Sequence, residues 1–569
     1  MIKTNRQNGI TLIALIITII VLLILAGVTL SMIMGDSGLF GKAKKAKEQT
    51  EITSEKEEIA LAVTSSKITD TGVSNVKKES LKKALDAQFG ENKTLVEDNE
   101  DGSYTIKMNN SGKREYTLDD DGTLIEGAYS KWDGTTSTEP TNKTSNEIHI
   151  YTVAELKWIA DKVNNDGNTF EGYTIYLENN LDFGARETSG TWENTENEAL
   201  KWTAIGKQKD IPLKATFEGN NHIIKGVYIN DETKFNGIFG NSSSILNLTV
   251  KNSYIKGKNC SGTIVGAVRS GTIENCHNIN STVELYDESS NVGGVAGQVK
   301  GVIKNCTNIG GRVVGKKAAN GSAQAGGVVG TLIIGGSQAI NCYNTGNVTG
   351  EGNYVGGVVG VADTSSTIQN CYNTGNVTGE GNYVGGVVGI ANTSSTIQNC
   401  YNTGNVTGEG NYVGGVVGIA ANIVTKCYNT GTIVSKGTEG TGGIIGDCVT
   451  KKSQDISLCY NSGTVQAPEN AGGISGYLGA QGYNGKETKC YNKGKIICTE
   501  NNNARGEIVG SMANDANVTN CFYFTRDETR YGVGKINDGG DIEAQRAETH
   551  QTNIDLKSYN DFIEWIKQK

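Results

Sequence analysis

"CYNTGNVTGEGNYVGGVVG" occupies positions 342–360, and the same letters recur at 371–389 and 400–418, each copy 29 residues after the last. A fixed period of this size is the mark of a repeat architecture. Within each copy, short runs built on Val, Thr and Tyr are bounded by Gly and Asn, the pattern of brief strands joined by tight turns. One such unit has too few apolar residues for a core of its own. Stacked in register, successive units bury a shared interior and pair each strand with its counterpart at about 4.8 Å. The expected fold is mainly β: a right-handed parallel β-helix, or solenoid, with helical caps.

Outward from the identical copies, a Gly-bounded apolar element recurs in looser form at 236–240, 262–266, 293–297, 326–330, 442–446, 472–476 and 506–510, besides 356–360, 385–389 and 414–418. Between these elements runs "TIQNCYNTGNV" or a variant of it. These units resemble GLUG repeats, found in bacterial surface proteins that include adhesins and some immunoglobulin-A metallopeptidases. The resemblance covers about 150–525, with "FEGNNHIIKGVYI" (217–229) matching how such arrays begin. Ten coils would make a rod about 45 to 50 Å long. Glycine is expected where the chain bends tightly or needs positive φ.

Nine of the twelve cysteines hold one place in the repeat: Cys276, Cys306, Cys342, Cys371, Cys400, Cys427, Cys459, Cys490 and Cys521. No CxxC pair occurs, and one Cys per repeat lacks the close ligand pairing of a zinc motif. In-register stacking holds the Cβ vectors parallel, which is poor geometry for a disulfide. The expectation is a buried ladder of free thiols acting as small hydrophobes. Cys260, Cys448 and Cys498 stand outside it without an assigned role. Beside the ladder stand Tyr343, Tyr372, Tyr401, Tyr428, Tyr460 and Tyr491. Neighbours along a strand point oppositely, so inward cysteines imply an outward tyrosine stripe, a candidate binding surface for sugar rings or a partner protein. Tyr354, Tyr383 and Tyr412 offer a second row.

Gly accounts for 76 of 569 residues and Pro for 3. Gly is thus roughly double its ~7% norm, while the scarcity of Pro excludes collagen-like and Pro-rich disordered chains. The net charge of −9 comes without a basic stripe beyond the first 50 residues, so nucleic acid is not an expected partner. His149, His222, His277 and His550 are scattered and form no HExxH, so the metallopeptidase branch of GLUG-bearing proteins is not represented. "LDDDGT" (118–123) lacks the length and closing Glu of a calcium loop and reads as a turn. No cofactor, metal or catalytic set is expected. Repeated coils offer Glu351, Asp363, Glu380 and Glu409 in loops, but identical units do not build the singular carboxylate pair that a polysaccharide-cleaving enzyme needs.

The chain opens with Lys3 and Arg6, followed by an uncharged run from Ile10 to Met34. As a helix that run spans about 37 Å, enough for a ~30 Å hydrocarbon core. "NGITLIALI" (8–16) resembles the type IV prepilin motif. The resemblance implies cleavage by prepilin peptidase between Gly9 and Ile10, methylation of the new amine, and a cytoplasmic leader. The family's usual Glu at the fifth mature position is here Ala14, which weakens the case for assembly into a major pilus and leaves pilus subunits an open partner.

The expected organisation is a leader (1–9), a transmembrane helix (10–34), an exposed helix (37–67), a small α+β module (70–126) and a linker (127–146). There follow an N-terminal cap with the first solenoid strands (147–235), GLUG-type repeats (236–525) and a C-terminal cap with a helix (526–569). The functional expectation is a bacterial, non-enzymatic, adhesin-like protein. It would be anchored in the cytoplasmic membrane, with an extracellular domain binding a glycan or a host or neighbouring cell. The alternatives are a minor pilin or pseudopilin and, behind it, a polysaccharide-active β-helix enzyme.

Overall fold

The computed structural model describes residues 39–69, 76–99, 103–109, 114–119, 122–125, 129–286, 291–317, 323–448, 454–479, 485–500, 504–513, 515–524, 530–536, 549–552 and 555–568. The leader, the Gly9/Ile10 junction and the expected membrane helix lie outside them. Among the described residues no helix is long and apolar enough to cross a membrane. The chain divides into two compact units, one ending at Ala128 and one beginning at Tyr129.

In the first unit, helices Leu39–Thr69 and Lys78–Phe89 precede four antiparallel strands in sequential order, Thr94–Asp98, Tyr104–Met108, Glu115–Leu118 and Leu124–Ile125. The first helix, expected to be exposed, buries Ile59, Ala62, Val63 and Ser66. These positions fall three and four residues apart and so share one face. That face joins Leu81, Leu85, Val96, Ile106 and Leu118 in one core. A stripe this narrow is diluted in composition by the Lys and Glu around it, which is why the segment reads as solvated. Glu55, also buried, fixes the docking: it accepts bonds of 2.9 Å from both Nε and Nη2 of Arg114 and one of 2.5 Å from the Tyr116 hydroxyl.

The second unit is a parallel β-solenoid of about 12 turns. One repeat contributes strands Tyr343–Asn344, Val348–Gly350, Tyr354–Gly356, Val359–Ala362 and Thr367–Gln369. Each pairs in parallel with the chain 29 residues on, as in Tyr343↔Tyr372, Val348↔Val377, Val355↔Val384, Val359↔Val388 and Thr367↔Thr396. One ladder has 14 strands, from Tyr129–Lys131 to Thr549–Gln551. It outruns the ten Gly-bounded elements, since Tyr129–Lys131, Asn180–Asp182 and Ile223–Lys225 join it ahead of the first of them, with Leu181 and Ile224 buried. The expected linker therefore already contains a strand: Tyr129–Lys131 pairs with Asn180–Asp182, and buried Trp132 packs on Phe183 and Trp202 with ring centroids 5.7 Å away in both cases.

Valine and isoleucine fill a continuous interior from Ile148 to Val533. Helix Val153–Asn164, closed by a Thr152/Glu155 capping box, adds Val153, Leu156, Ile159 and Val163 to that core. The glycines of the repeat serve a purpose other than the expected positive φ. A Cβ on Gly356 would lie 1.9 Å from the Val359 carbonyl oxygen, and one on Gly357 would lie 2.0 Å from that of Gly386. They permit close passage of backbone in the same coil and the next. The left-handed corners ahead of the ladder cysteines fall instead to asparagine in six of nine coils, with φ of 54° at Asn341, 55° at Asn370 and 54° at Asn399, and to Lys426, Leu458 and Lys489 in the other three. Asn tolerates αL better than other non-Gly residues.

The C-terminal helix Tyr559–Ile566 was expected to close the end of the solenoid. It lies against the lateral tyrosine ladder instead, where Phe562 and Trp565 find aromatic partners in Tyr460, Tyr491 and Phe522. The ladder's own outward rings supply the apolar surface that this helix needs.

Candidate functional site

In-register parallel pairing places identical residues side by side, so a tyrosine repeated every coil becomes a stack. Ring centroids are 4.7 Å apart for Tyr343/Tyr372, 4.7 Å for Tyr372/Tyr401 and 4.6 Å for Tyr401/Tyr428, with planes within 5° of parallel. The spacing is that of the strands. All four rings are half-buried, and burial pushes the phenols of Tyr372, Tyr401 and Tyr428 upward. Stacking covers the ring faces, leaving ring edges and hydroxyls outward. A sugar therefore finds few open faces here.

The stripe is divided. Tyr428 stacks on Tyr559 of the C-terminal helix at 4.9 Å. Tyr460 and Tyr491 are only 1% and 0% exposed and meet the helix segment through Tyr460 Oη, which donates 3.1 Å to the Leu556 carbonyl, and Tyr491 Oη, which accepts from Leu556 N at 3.4 Å. Of the six candidates, Tyr343, Tyr372 and Tyr401 remain uncovered by the helix.

The second row stacks as well, at 5.2 Å for Tyr354/Tyr383 and 5.4 Å for Tyr383/Tyr412. It ends at a cavity of about 280 Å³ lined by Tyr412, Glu439, Gly440, Asp447, Asn470, Tyr477, Ser511 and Lys535. Tyr412 donates its hydroxyl proton to Glu439. Asp447 is 3% exposed, and its Oδ1 has no hydrogen-bond partner among the described residues. Burial, reinforced by the charge of Glu439, pushes its carboxyl up to about 8. The cavity thus presents carboxyl, hydroxyl, amide and ammonium groups in one place, suited to holding a small polar ligand. Asp447 continues a row that reads Val361, Ile390, Ile419 before it and Tyr477, Ser511, Lys535 after it. In the sequence the break stands at "GGIIGDC" (442–448), where the three preceding coils place Val361, Ile390 and Ile419 at the Asp position.

All nine ladder cysteines are free and buried, as are Cys260 and Cys448; Cys498 is half-buried. Each ladder thiol leans on the carbonyl two residues earlier, as in Cys371 Sγ to Gln369 O at 3.3 Å. Burial pushes the Cys306 and Cys342 thiols up. Beside them runs a second buried ladder that repeat reading passed over: Asn308, Asn344, Asn373 and Asn402, in which each Nδ2 donates to the Oδ1 of the next coil at 2.7, 2.7 and 2.9 Å. The "CYN" triplet held the signal, since alternation turns Asn inward with Cys.

Parallel coils with stacked identical residues define the second unit as a β-solenoid of the repeat class. Within it, the GLUG motif matches residues 351–378 and 380–407, two successive coils. Among solved structures, similarity extends to a provisionally named immunoglobulin A1 protease from Bacteroides ovatus, at 18% identity and a TM-score of 0.36, covering 56% of this chain and 86% of that one. A second, described as IgA1 protease, shows 16% identity and a TM-score of 0.30, covering 60% of this chain and 25% of that one. No curated protein sequence matches the chain.

Proposed function

We propose that this chain is an adhesin-like surface protein of a bacterium: a β-solenoid rod, tethered to the cytoplasmic membrane by residues 10–34, that binds a protein of a host or neighbouring cell and catalyses no reaction. The observation that carries this reading is the open stretch of the tyrosine stripe, Tyr343, Tyr372 and Tyr401. It is continuous with the stretch on which the chain seats its own aromatic helix through Tyr428 and Tyr559. Aromatic rows of this kind are favoured at protein interfaces, where ring and hydroxyl both find partners.

Export would follow cleavage between Gly9 and Ile10 by prepilin peptidase. Mass spectrometry of the native N-terminus tests this step: N-methyl-Ile10 is expected, and an intact Met1 would reject it. Binding is tested by incubating residues 129–569 with cells, with a glycan panel and with acidic polysaccharides, beside a variant carrying serine at 343, 372 and 401. Retention on cells by the wild type and loss in the variant are expected. Retention on glycans alone, or turnover of a polysaccharide, would replace the reading, and binding to nothing would sink it.

The helix Leu39–Thr69, docked on a four-stranded antiparallel sheet, favours a second reading as a minor pilin or pseudopilin. Co-purification with pilus subunits after surface shearing would support it.

A further inference from the structure

The interior rows of the solenoid are aliphatic with few interruptions, and three interruptions fall together near its C-terminal end. In the row that runs Ile368, Ile397, Val424, Ile456, the next coil places Glu487, and the row resumes with Val518. In the row Val359, Val388, Val417, Ile445, the same coil places Ser475 before Val509. One coil earlier, Cys448 stands in the core one pairing ahead of Leu478. Glu487, Ser475 and Cys448 are each 0% exposed.

Two of these polar groups meet directly. Ser475 Oγ donates 2.6 Å to Glu487 Oε2, while Glu487 Oε1 has no hydrogen-bond partner among the described residues. A carboxylate oxygen, Cys490 Sγ and Cys521 Sγ all lie within 4.8 Å of one another. An isolated carboxyl in a hydrocarbon core costs several kcal/mol unless something compensates it. The serine satisfies one oxygen only. Two thiols from successive coils flank the carboxyl, and Cys459, one pairing before Cys490 in the ladder, is a further thiol along the same line. Thiolates with a carboxylate oxygen suit a borderline-soft divalent ion, and the three groups supply three of the four ligands that such an ion takes.

We propose that Glu487, Cys490 and Cys521 form a structural zinc site built into the solenoid core, with Ser475 as the positioning residue that orients the carboxylate. Binding is not a redox step. Each cysteine loses its S–H proton and forms an S–Zn bond, the carboxyl loses its proton and forms an O–Zn bond, and up to three protons leave for solvent. Because the core is closed, the ion enters as the last coils fold, so binding and folding are coupled. The inference is independent of the proposed surface function, since the site faces inward and the tyrosine stripe outward.

The test uses the full chain refolded with Zn²⁺, freed of excess metal and measured by elemental analysis, with Co²⁺ as a spectroscopic substitute. About one zinc per chain is expected, and Co²⁺ should give thiolate-to-metal charge-transfer absorption. E487I restores the residue type of the neighbouring coils, so it should fold while retaining at least about tenfold less metal. S475V should weaken retention less than E487I does. C490S and C521S should each at least halve the charge-transfer band, and if either fails to fold, E487I still decides. A wild-type chain that folds without retaining zinc overturns the proposal, as does an E487I variant that retains as much zinc as wild type.

Discussion

Tyr428 of the ladder and Tyr559 of the C-terminal helix stack with centroids 4.9 Å apart and planes 22° from parallel. One face of the repeat is thereby both an interface inside the chain and, a coil further on, an open surface.

Removing the anchor of that helix should uncover two more rungs. Phe562, 0% exposed, contacts both Tyr460 and Tyr491. F562A should cost the helix about 3 to 5 kcal/mol of docking, enough to free it. Hydrogen exchange should then rise at 559–566 while protection in the coils around 342–429 is kept. Because repeat units contact only neighbours, a loss of protection across the whole solenoid would contradict this.

A whole coil should be dispensable. Tyr372 pairs with Tyr343 before it and Tyr401 after it, and the flanking coils are the same in register. Deleting 371–399 brings Cys400 to the position of Cys371 with every inward residue still inward. The expected product is folded, with a circular dichroism spectrum of wild-type shape and a Tm within a few degrees. Unfolding of the deletion would refute the register.

Stability should fall as pH rises, in part through Asp447. Its folded-state value is raised to about 8, against ~3.9 for an unfolded aspartate. The folded chain therefore binds the proton more tightly. The contribution is fully present below pH ~4 and lost progressively up to pH ~8, at no more than about 1.4 kcal/mol per unit. Glu439, Tyr412, Tyr477 and Lys535 face the same cavity. Urea midpoints measured with chelator present between pH 5 and pH 8 should decline less in D447N than in wild type. Equal slopes would clear Asp447 of the effect.

Thiol reactivity should separate the cysteines by place. Of twelve, only Cys498 is half-buried and the rest are buried. In native chain, one thiol should react with a small disulfide reagent within minutes, and all twelve after denaturation in chelator. Rapid native labelling of several ladder thiols would mean that the coils open far more readily than their packing implies.

The solenoid was legible because its signal is redundant. Val355, Val384 and Val413 each repeat the same instruction, so an error at one coil does not obscure the period. The cavity at Asp447 and the cluster at Glu487 were not legible, because each occurs once, in coils where the repeat is loosest. Meaning at those positions depends on which rows they interrupt, and rows exist only after stacking. The tyrosine stripe lies between these cases. Its outward direction follows from alternation beside inward Cys and Asn, yet nothing in "YNDFIEWI" (559–566) states that this helix would lie across Tyr460 and Tyr491.

By itself, then, the sequence determined the period, the parallel coil and the side each repeated residue faces. These follow from local alternation and from identical units pairing with themselves. The tertiary structure alone decided which rungs are covered, which glycines are crowded by backbone, and which single polar residues meet inside. Each of those depends on contacts between segments far apart in the chain, and a linear period carries no record of them.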